Sequence, residues 1–232
     1  YGKQLIDWLN NYTFVAEQQF NNFDYAYEVA QFFLDECLKA GTTTVMTYCT
    51  VHPESVDAFF EAALKKKMRV IAGKVLMDRN APPELLDTAK KGYDQSKALI
   101  KKWHGVDRLL YAITPRFAPT STEEQLESAG ALWSEFPGTY MQSHLSENLG
   151  EISWVKELFP KTRDYLDVYD HYKLLGTRAV YGHGIHLSER EWIRLNETGT
   201  SLAHCPTSNE FLGSGLFDFL KAKKKERPIK VG

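Results

Sequence analysis

Helical stretches alternate with short, apolar, β-branched segments along the chain from about residue 25 onward. Six segments have the strand pattern: Thr43 to Thr50, Arg69 to Met77, Leu109 to Phe117, Thr139 to Glu147, Ala179 to Leu187 and Thr200 to Ser208. A seventh candidate, Ile229 to Gly232, stands at the end of the sequence. Several of these segments are apolar along their whole length, as is typical of strands with both faces covered. The pattern predicts βα units around a parallel sheet.

Between the predicted strands, four segments place apolar residues three and four positions apart, as amphipathic helices do. They are residues 56–67, 83–104, 122–136 and 189–197. Six or seven βα units fit a (β/α)8 barrel, which takes about 250 residues when complete. The 232 residues begin on a helix-like segment and end within a strand. We therefore expect an α/β fold of the TIM-barrel type, with the first strand absent and the last truncated. No linker or repeat divides residues 1–232, so a single barrel fragment is expected.

Composition and charge narrow the possible roles. Lys and Arg total 28 against 30 Asp and Glu, which gives a formal net charge of −2. This balance argues against a nucleic-acid-binding stripe and against a basic membrane-binding patch. No run approaches the roughly 18 apolar residues of a membrane helix, and the first residues lack the features of a signal peptide. A cytoplasmic location is predicted.

Polar side chains of the types that bind ligands or catalyse reactions lie near the ends of four successive predicted strands. They are Arg116 beside Phe117, His144 with Glu147, His183 with His186, and His204 with Thr207, Ser208 and Asn209. The carboxyl ends of strands in a parallel barrel line one mouth, so these groups are expected to face one cavity. A single histidine near a strand end is more often a core or rim residue than a metal ligand. The recurrence at successive strands is what favours a functional site.

His144 and Glu147 form a His-x-x-Glu pattern that has two interpretations. Neutral imidazole is the commonest metal ligand, and a nearby carboxylate can move a proton between water and a leaving group. Alternatively, Glu147 caps the following helix, where the helix dipole favours an acid. His183 and His186 are three apart and cannot both face inward on a regular strand. The neighbouring glycines, Gly182 and Gly184, favour His183 as the inward residue and leave His186 at the rim.

Several motifs together resemble one known family. They are GTTT at 41–44, GKVLMDRNAP at 73–82, TPRFAPT at 114–120, HLSE at 144–147, GHGIHLS at 182–188 and AHCPTSN at 203–209. The chain resembles the guanine deaminase family of the amidohydrolase superfamily, in the branch that includes the triazine chlorohydrolases. HLSE and AHCPTSN indicate the branch, whereas MDRNAP together with TPRF points to guanine. The resemblance covers essentially the whole chain.

The resemblance implies a metal-binding (β/α)8 barrel flanked by a small β-sandwich, and that sandwich is not expected in residues 1–232. It implies that His144 and His183 bind zinc and that Glu147 is the catalytic proton shuttle. It also implies that the purine is bound by Arg116 and Phe117 together with His144 and Glu147. Phe117 has the alternative role of packing the top of the barrel. His186, His204 and Asn209 are expected to shape the pocket wall. The resemblance also implies that the protein is a homodimer, that each subunit of the complete protein binds one Zn²⁺ ion and that the substrate is guanine.

The sequence also departs from the family pattern. The family's first strand supplies a His-x-His zinc-binding pair and its eighth strand an aspartate, and the printed sequence contains neither. Catalytic zinc takes three or more protein ligands. We therefore expect the 232-residue chain alone to bind zinc poorly and to be inactive.

For the complete protein, the resemblance implies zinc-dependent hydrolytic deamination of guanine to xanthine and ammonia. One alternative is an aminohydrolase or chlorohydrolase acting on another heterocycle. The other is a non-catalytic barrel that serves as a binding module, although the retention of a histidine pair and its neighbouring acid argues against such decay.

Overall fold

A computed structural model describes residues 5–223, and all strand pairs in this range are parallel. The strands are β1 (Thr44–Tyr48), β2 (Arg69–Gly73), β3 (Val75–Leu76), β4 (Leu109–Pro115), β5 (Tyr140–Leu145), β6 (Ala179–His183) and β7 (Ser201–Ala203). Across the sheet they follow in the order β1-β2-β4-β5-β6-β7, while the short β3 pairs with β4. This sequential parallel order confirms the predicted α/β class and partial barrel. The predicted strand Ile229 to Gly232 lies outside the described residues.

Helices precede the sheet and connect its strands. The α-helices of the described range are α1 (Leu5–Trp8), α2 (Phe14–Glu17), α3 (Phe23–Lys39), α4 (Pro53–Lys66), α5 (Ala89–Trp103), α6 (Glu123–Glu135), α7 (Leu149–Leu158), α8 (Tyr165–His171), α9 (Glu189–Thr198), α10 (Pro206–Phe211) and α11 (Phe219–Ala222). A π-helix (Leu9–Thr13) and 3-10 turns (Gln18–Asn21, Pro83–Leu85, Ala118–Thr120) complete the set. None of the helices described is long and apolar enough to cross a membrane.

Side-chain caps explain where two of the predicted helices begin. Thr122 accepts a hydrogen bond from the Gln125 amide at the start of α6, and Ser188 forms a capping box with Glu191 at the start of α9. Each cap satisfies an amide that has no partner within its helix. The predicted helix 83–104 is interrupted, because α5 begins only after Thr88, whose hydroxyl accepts from the Lys91 amide.

The strands end earlier than their apolar patterns predict. The predicted strand Thr139 to Glu147 stops at Leu145, where Ser146 adopts a φ of 48°. The strand predicted to reach Leu187 stops at His183, which has a φ of 71°. A left-handed residue cannot continue an extended strand. The residues that follow therefore lie in loops at the carboxyl edge of the sheet.

Two hydrophobic clusters make up the described core. The larger lies between the sheet and the surrounding helices and includes Leu34, Phe60, Trp103, Tyr169 and Leu195. The smaller joins the first helices to the strand ends and contains Leu5, Leu9, Phe14, Val51, Val75, Met77, Leu85, Phe117 and Leu212. It holds residues 5–21, here called the N-terminal helical segment, over the carboxyl edge of the sheet.

Candidate active site

A cavity of about 340 Å³ lies at the carboxyl edge of the sheet, beneath the N-terminal helical segment. Its lining comes from the ends of four strands, from the N-terminal helical segment and from α10 with the residue after it. The lining residues are Leu5, Trp8, Leu9, Glu17, Phe20, Tyr48, Cys49, Thr50, Arg116, Phe117, His144, Glu147, His183, Ser208 and Leu212. A concave, mostly apolar pocket with a few convergent polar groups is the usual form of a small-molecule site. Five of the predicted site residues thus line one cavity.

His144 stands near the end of β5 with its tautomer fixed by a backbone group. Its Nδ1 donates to the carbonyl oxygen of Arg116 at 2.7 Å, so in the neutral ring Nε2 carries the lone pair. Burial lowers the pKa of His144 to about 3, and the neighbouring His183 adds to this effect. The imidazole is therefore neutral at physiological pH, which is the form that binds metals.

His183 is the last residue of β6, and its ring stacks beside that of His144 with centroids 5.5 Å apart. Its Nδ1 donates to the amide oxygen of Asn209 at 2.7 Å, and burial lowers its pKa. Gly182 makes room for this pair, because a Cβ there would lie 3.3 Å from His144 Cδ2. Both histidines thus have Nδ1 engaged by an oxygen acceptor and Nε2 unprotonated, the arrangement in which outer partners orient metal-binding histidines.

Glu147 directs its carboxylate to the histidine pair and takes no part in capping the next helix. Oε2 lies 3.2 Å from His183 Nε2, and Oε1 accepts from the Ser214 hydroxyl at 3.2 Å. The helix α7 is instead capped by Asn148 and Glu151. Burial raises the pKa of Glu147 to about 7, with the Ser214 hydrogen bond opposing the rise. A carboxyl group with such a pKa can both accept and donate a proton near neutral pH.

Arg116 and Phe117 follow β4 directly. Arg116 Nη1 donates to both carboxylate oxygens of Glu17 at 2.8 Å, and its guanidinium lies 5.2 Å from the centre of the Phe14 ring. Phe117 makes an edge contact with Trp154, with ring centroids 6.4 Å apart, and also lines the cavity. Phe117 therefore packs at the top of the sheet and also faces the cavity, and its contact with a purine stays a prediction.

The other predicted pocket residues do not line the main cavity. Asn209 is buried and reaches the site through its hydrogen bond to His183. His186 donates through Nε2 to the Ser214 carbonyl at 2.8 Å and lines a separate cavity. His204 packs its ring on Phe219, centroids 4.7 Å apart, outside the lining of the main cavity. His183 and His186 do not share one strand as the sequence predicted, because β6 ends at His183.

Several residues of the site were not anticipated from the sequence. Tyr48 stacks on the His144 ring with centroids 4.6 Å apart, and its place at the end of β1 was the available signal. Glu17 and Ser214 carried no such signal, because neither stands at a strand end. Each reaches the site only through the folding of a distant segment.

The described residues offer two nitrogen ligands suited to a metal ion. His144 and His183 each keep a lone pair on Nε2, because Nδ1 of each ring donates a hydrogen bond to an oxygen atom. Between residues 5 and 223, no group of three or more His, Cys, Asp or Glu residues could hold a metal ion. Because catalytic zinc takes three or more protein ligands, a metal at this site needs ligands beyond these two histidines.

Comparison with known proteins agrees with this geometry. The amidohydrolase family model matches residues 2–229, and the chain belongs to the amidohydrolase family. Within this family, the chain is 55% identical over 232 residues to the guanine deaminase of Escherichia coli (strain K12). The alignment covers 100% of this chain and 52% of that protein. The chain spans about half the length of the curated relatives it matches. The predicted resemblance to guanine deaminases is confirmed.

Solved structures give the same picture. The structure of E. coli guanine deaminase matches with a TM-score of 0.98, covering 100% of this chain and 53% of that one. A guanine deaminase from C. acetobutylicum, solved with guanine bound in its active site, matches with a TM-score of 0.95 at 35% identity, covering 100% of this chain and 56% of that chain. The fold described here is therefore shared with about half of each of these enzymes.

Proposed function

We propose that the whole protein catalyses the metal-dependent hydrolytic deamination of guanine to xanthine and ammonia. The observation that carries the proposal is that two neutral histidines, a carboxyl group with a pKa near 7, and an Arg-Phe pair line one cavity of about 340 Å³. Relatives named guanine deaminase, two of which are 55% and 38% identical to this chain, support guanine as the substrate.

His144 and His183 would hold the metal through their Nε2 atoms. Zn²⁺ is the proposed ion, because imidazole nitrogen suits it and it has no redox chemistry of its own. When bound, the ion would polarise a water molecule, lower its pKa toward neutrality and so supply the nucleophile. Within residues 5–223, no third His, Cys, Asp or Glu side chain completes the ligand set.

Glu147 would carry the proton through the reaction. Its carboxylate oxygen would accept a proton from the attacking water, which adds to the purine carbon that bears the amino group. The same carboxyl group would donate that proton to the ring nitrogen whose double bond to this carbon opens. It would then move the remaining hydroxyl proton to the amino nitrogen, so that the carbonyl forms, the exocyclic carbon–nitrogen bond breaks and ammonia leaves. A pKa near 7 suits these transfers, because none of them then requires an unfavourable protonation state.

Arg116 and Phe117 would orient the substrate. The guanidinium is a rigid donor suited to the carbonyl oxygen of a purine, and the aromatic ring offers an apolar face to its plane. The pairing of Arg116 with Glu17 leaves no net charge on that wall, which suits an uncharged base.

The proposal includes residues 1–232 as a single catalytic-barrel fragment. The homodimer and the cytoplasmic location expected from the resemblance stay predictions.

The test is the loss of guanine absorbance with the full-length protein, measured with zinc and then with a chelator, beside adenine, cytosine and a chlorotriazine. Zinc-dependent loss of guanine alone supports the proposal, and turnover of another heterocycle instead favours the alternative substrate. No turnover by a folded, metal-loaded protein contradicts deamination and favours a non-catalytic barrel.

Substitution of an arginine distinguishes the substrate-binding role. Arg116→Ala is expected to abolish most guanine turnover. Arg178→Ala is the matched control, because Arg178 lies over the Tyr140 ring and does not line the cavity. Equal loss in both variants would contradict a specific role for Arg116.

A further inference from the structure

The hydroxyl group of Tyr169 connects the segment that carries Arg116 and Phe117 to the strand that carries His144. Tyr169 lies on α8, is fully buried, and belongs to no strand end. Its hydroxyl oxygen accepts from the Ala118 amide at 2.9 Å, and its proton is donated to the His144 carbonyl at 2.8 Å. The Ser143 hydroxyl lies 3.0 Å from the same oxygen and 3.3 Å from the Arg116 carbonyl, to which it can donate instead.

These contacts join strand β5 to the segment that follows β4. Ala118 closely follows Arg116 and Phe117 after β4, whereas His144 stands on β5. The same two segments meet again at the Arg116 carbonyl, which accepts from His144 through its amide at 3.2 Å and its ring Nδ1 at 2.7 Å. Tyr169 therefore fixes both sides of the hydrogen bond that sets the tautomer of His144.

The local geometry makes a replacement for this hydroxyl unavailable. Ala118 is fully buried, so its amide has no access to water, and a buried amide without a partner is costly. Removal of the hydroxyl must leave that amide unpaired or move the loop. Either outcome shifts the Arg116 carbonyl and, through it, the His144 ring.

We propose that Tyr169 is a positioning residue that locks the substrate-binding loop to the metal-binding histidine. Through one hydroxyl it sets the direction of His144 Nε2 and the place of the Arg116 backbone at once. This inference rests on the proposed function, because it assigns His144 to the metal and Arg116 to the substrate. It predicts that metal affinity and substrate binding are coupled through a side chain that touches neither.

The test compares Tyr169→Phe with Tyr181→Phe in the full-length protein. Tyr181 is also fully buried, its ring lies 4.8 Å from that of Tyr169, and its hydroxyl donates to the Leu174 carbonyl at 2.9 Å, away from the cavity. Each variant loses a buried tyrosine hydroxyl, but only Tyr169→Phe loses the link between β5 and the segment after β4. The measurements are Zn²⁺ affinity by competition with a chromophoric chelator, the thermal midpoint of the metal-free protein, and KM and kcat for guanine.

We expect Tyr169→Phe to lower Zn²⁺ affinity by about 10- to 100-fold, which is the usual effect of removing an outer partner of a metal-binding histidine. The variant is also expected to raise KM. Tyr181→Phe is expected to lower the thermal midpoint and leave Zn²⁺ affinity unchanged. If Tyr169→Phe does not fold, Ser143→Ala takes its place, with a smaller loss of affinity expected. Unchanged affinity and KM in Tyr169→Phe, or equal losses in both tyrosine variants, would overturn the inference.

The wild-type protein separates the two possible failures. If it binds Zn²⁺ and deaminates guanine while Tyr169→Phe behaves as wild type, the inference alone fails. If the wild-type protein neither binds Zn²⁺ nor deaminates guanine, the proposed function fails and the inference fails with it.

Discussion

The carboxylate of Glu17 holds the guanidinium of Arg116 across 99 positions of sequence. Both carboxylate oxygens lie 2.8 Å from Arg116 Nη1, and the two side chains are only 15% and 11% exposed. The Phe14 ring packs against the same guanidinium. The N-terminal helical segment therefore orients a cationic side chain at the cavity and balances its charge.

Replacement of Glu17 should weaken both folding and substrate binding. Glu17→Gln keeps the shape of the side chain but leaves the Arg116 charge uncompensated in a largely buried place. The free energy of unfolding is expected to fall by about 1.5 to 3 kcal/mol, the usual contribution of a hydrogen bond to a charged group. KM for guanine should rise, because Arg116 loses its fixed orientation.

Denaturant unfolding and steady-state kinetics measure these effects. Glu197→Gln is the control, since Glu197 pairs with Arg194 at the surface, where such pairs contribute about 0 to 1 kcal/mol. The role of Glu17 would be refuted by equal losses of stability in the two variants together with an unchanged KM.

Asn209 should determine how well His183 binds a metal. Its amide oxygen fixes Nδ1 of His183, so Asn209→Ala frees the ring to rotate or to change tautomer. Metal affinity is expected to fall by about 10- to 100-fold, whereas Asn209→Asp should retain it because an oxygen acceptor remains. Equilibrium competition with a chelator measures both, and wild-type affinity in the alanine variant would show that the hydrogen bond has no such role.

Glu151 should make the metal-free protein less stable as pH rises. Burial raises its pKa from the ordinary 4.5 to about 7, with hydrogen bonds from Tyr165 and two amides opposing the rise. Between these values the folded protein holds a proton that the unfolded chain has released. Rising pH therefore lowers the free energy of unfolding across this window, by at most about 1.4 kcal/mol per pH unit from this group.

The variant Glu151→Gln isolates that contribution. Glutamine can keep the capping box with Asn148 and does not titrate. Unfolding measured between pH 4.5 and 7 should show a shallower fall in the variant than in the wild type. Identical slopes would mean that Glu151 titrates alike in the folded and unfolded protein.

Lys74 and Asp87 form a buried ion pair between the sheet and the helices, with side chains 0% and 3% exposed. Asp87 also accepts from Gln125 Nε2 at 3.0 Å. Lys74→Met should lower the free energy of unfolding by about 3 to 5 kcal/mol, because it leaves a carboxylate buried without its cation. Replacing Asp87 with Leu as well should recover part of the loss.

The exposed pair of Lys90 and Asp94 is the control for this effect. Both side chains are more than half exposed, and the pair lies one turn apart on α5. Lys90→Met is expected to cost about 0.3 to 0.5 kcal/mol. Comparable denaturant midpoints for the two single variants would contradict the importance of burial.

The order of strands and helices, and the edge of the sheet at which the site lies, could be predicted from the sequence alone. Strand periodicity and helix amphipathicity are local properties, so the segments around Leu109 and Ala179 could be recognised from their own residues. The meeting of His144, Glu147 and His183 followed from a general property of parallel barrels, in which strand ends share one mouth. The family motifs then predicted a metal-binding or substrate-binding role for particular polar residues.

Only the tertiary structure decided how those residues are held. The left-handed backbone of Ser146 and His183, which ends two strands early, leaves no trace in an apolar pattern. Glu17 and Tyr169 come from segments 99 and 25 residues away from their partners, Arg116 and His144. Such contacts depend on the packing of whole elements in space, whereas the local pattern of a sequence reports only on neighbours along the chain.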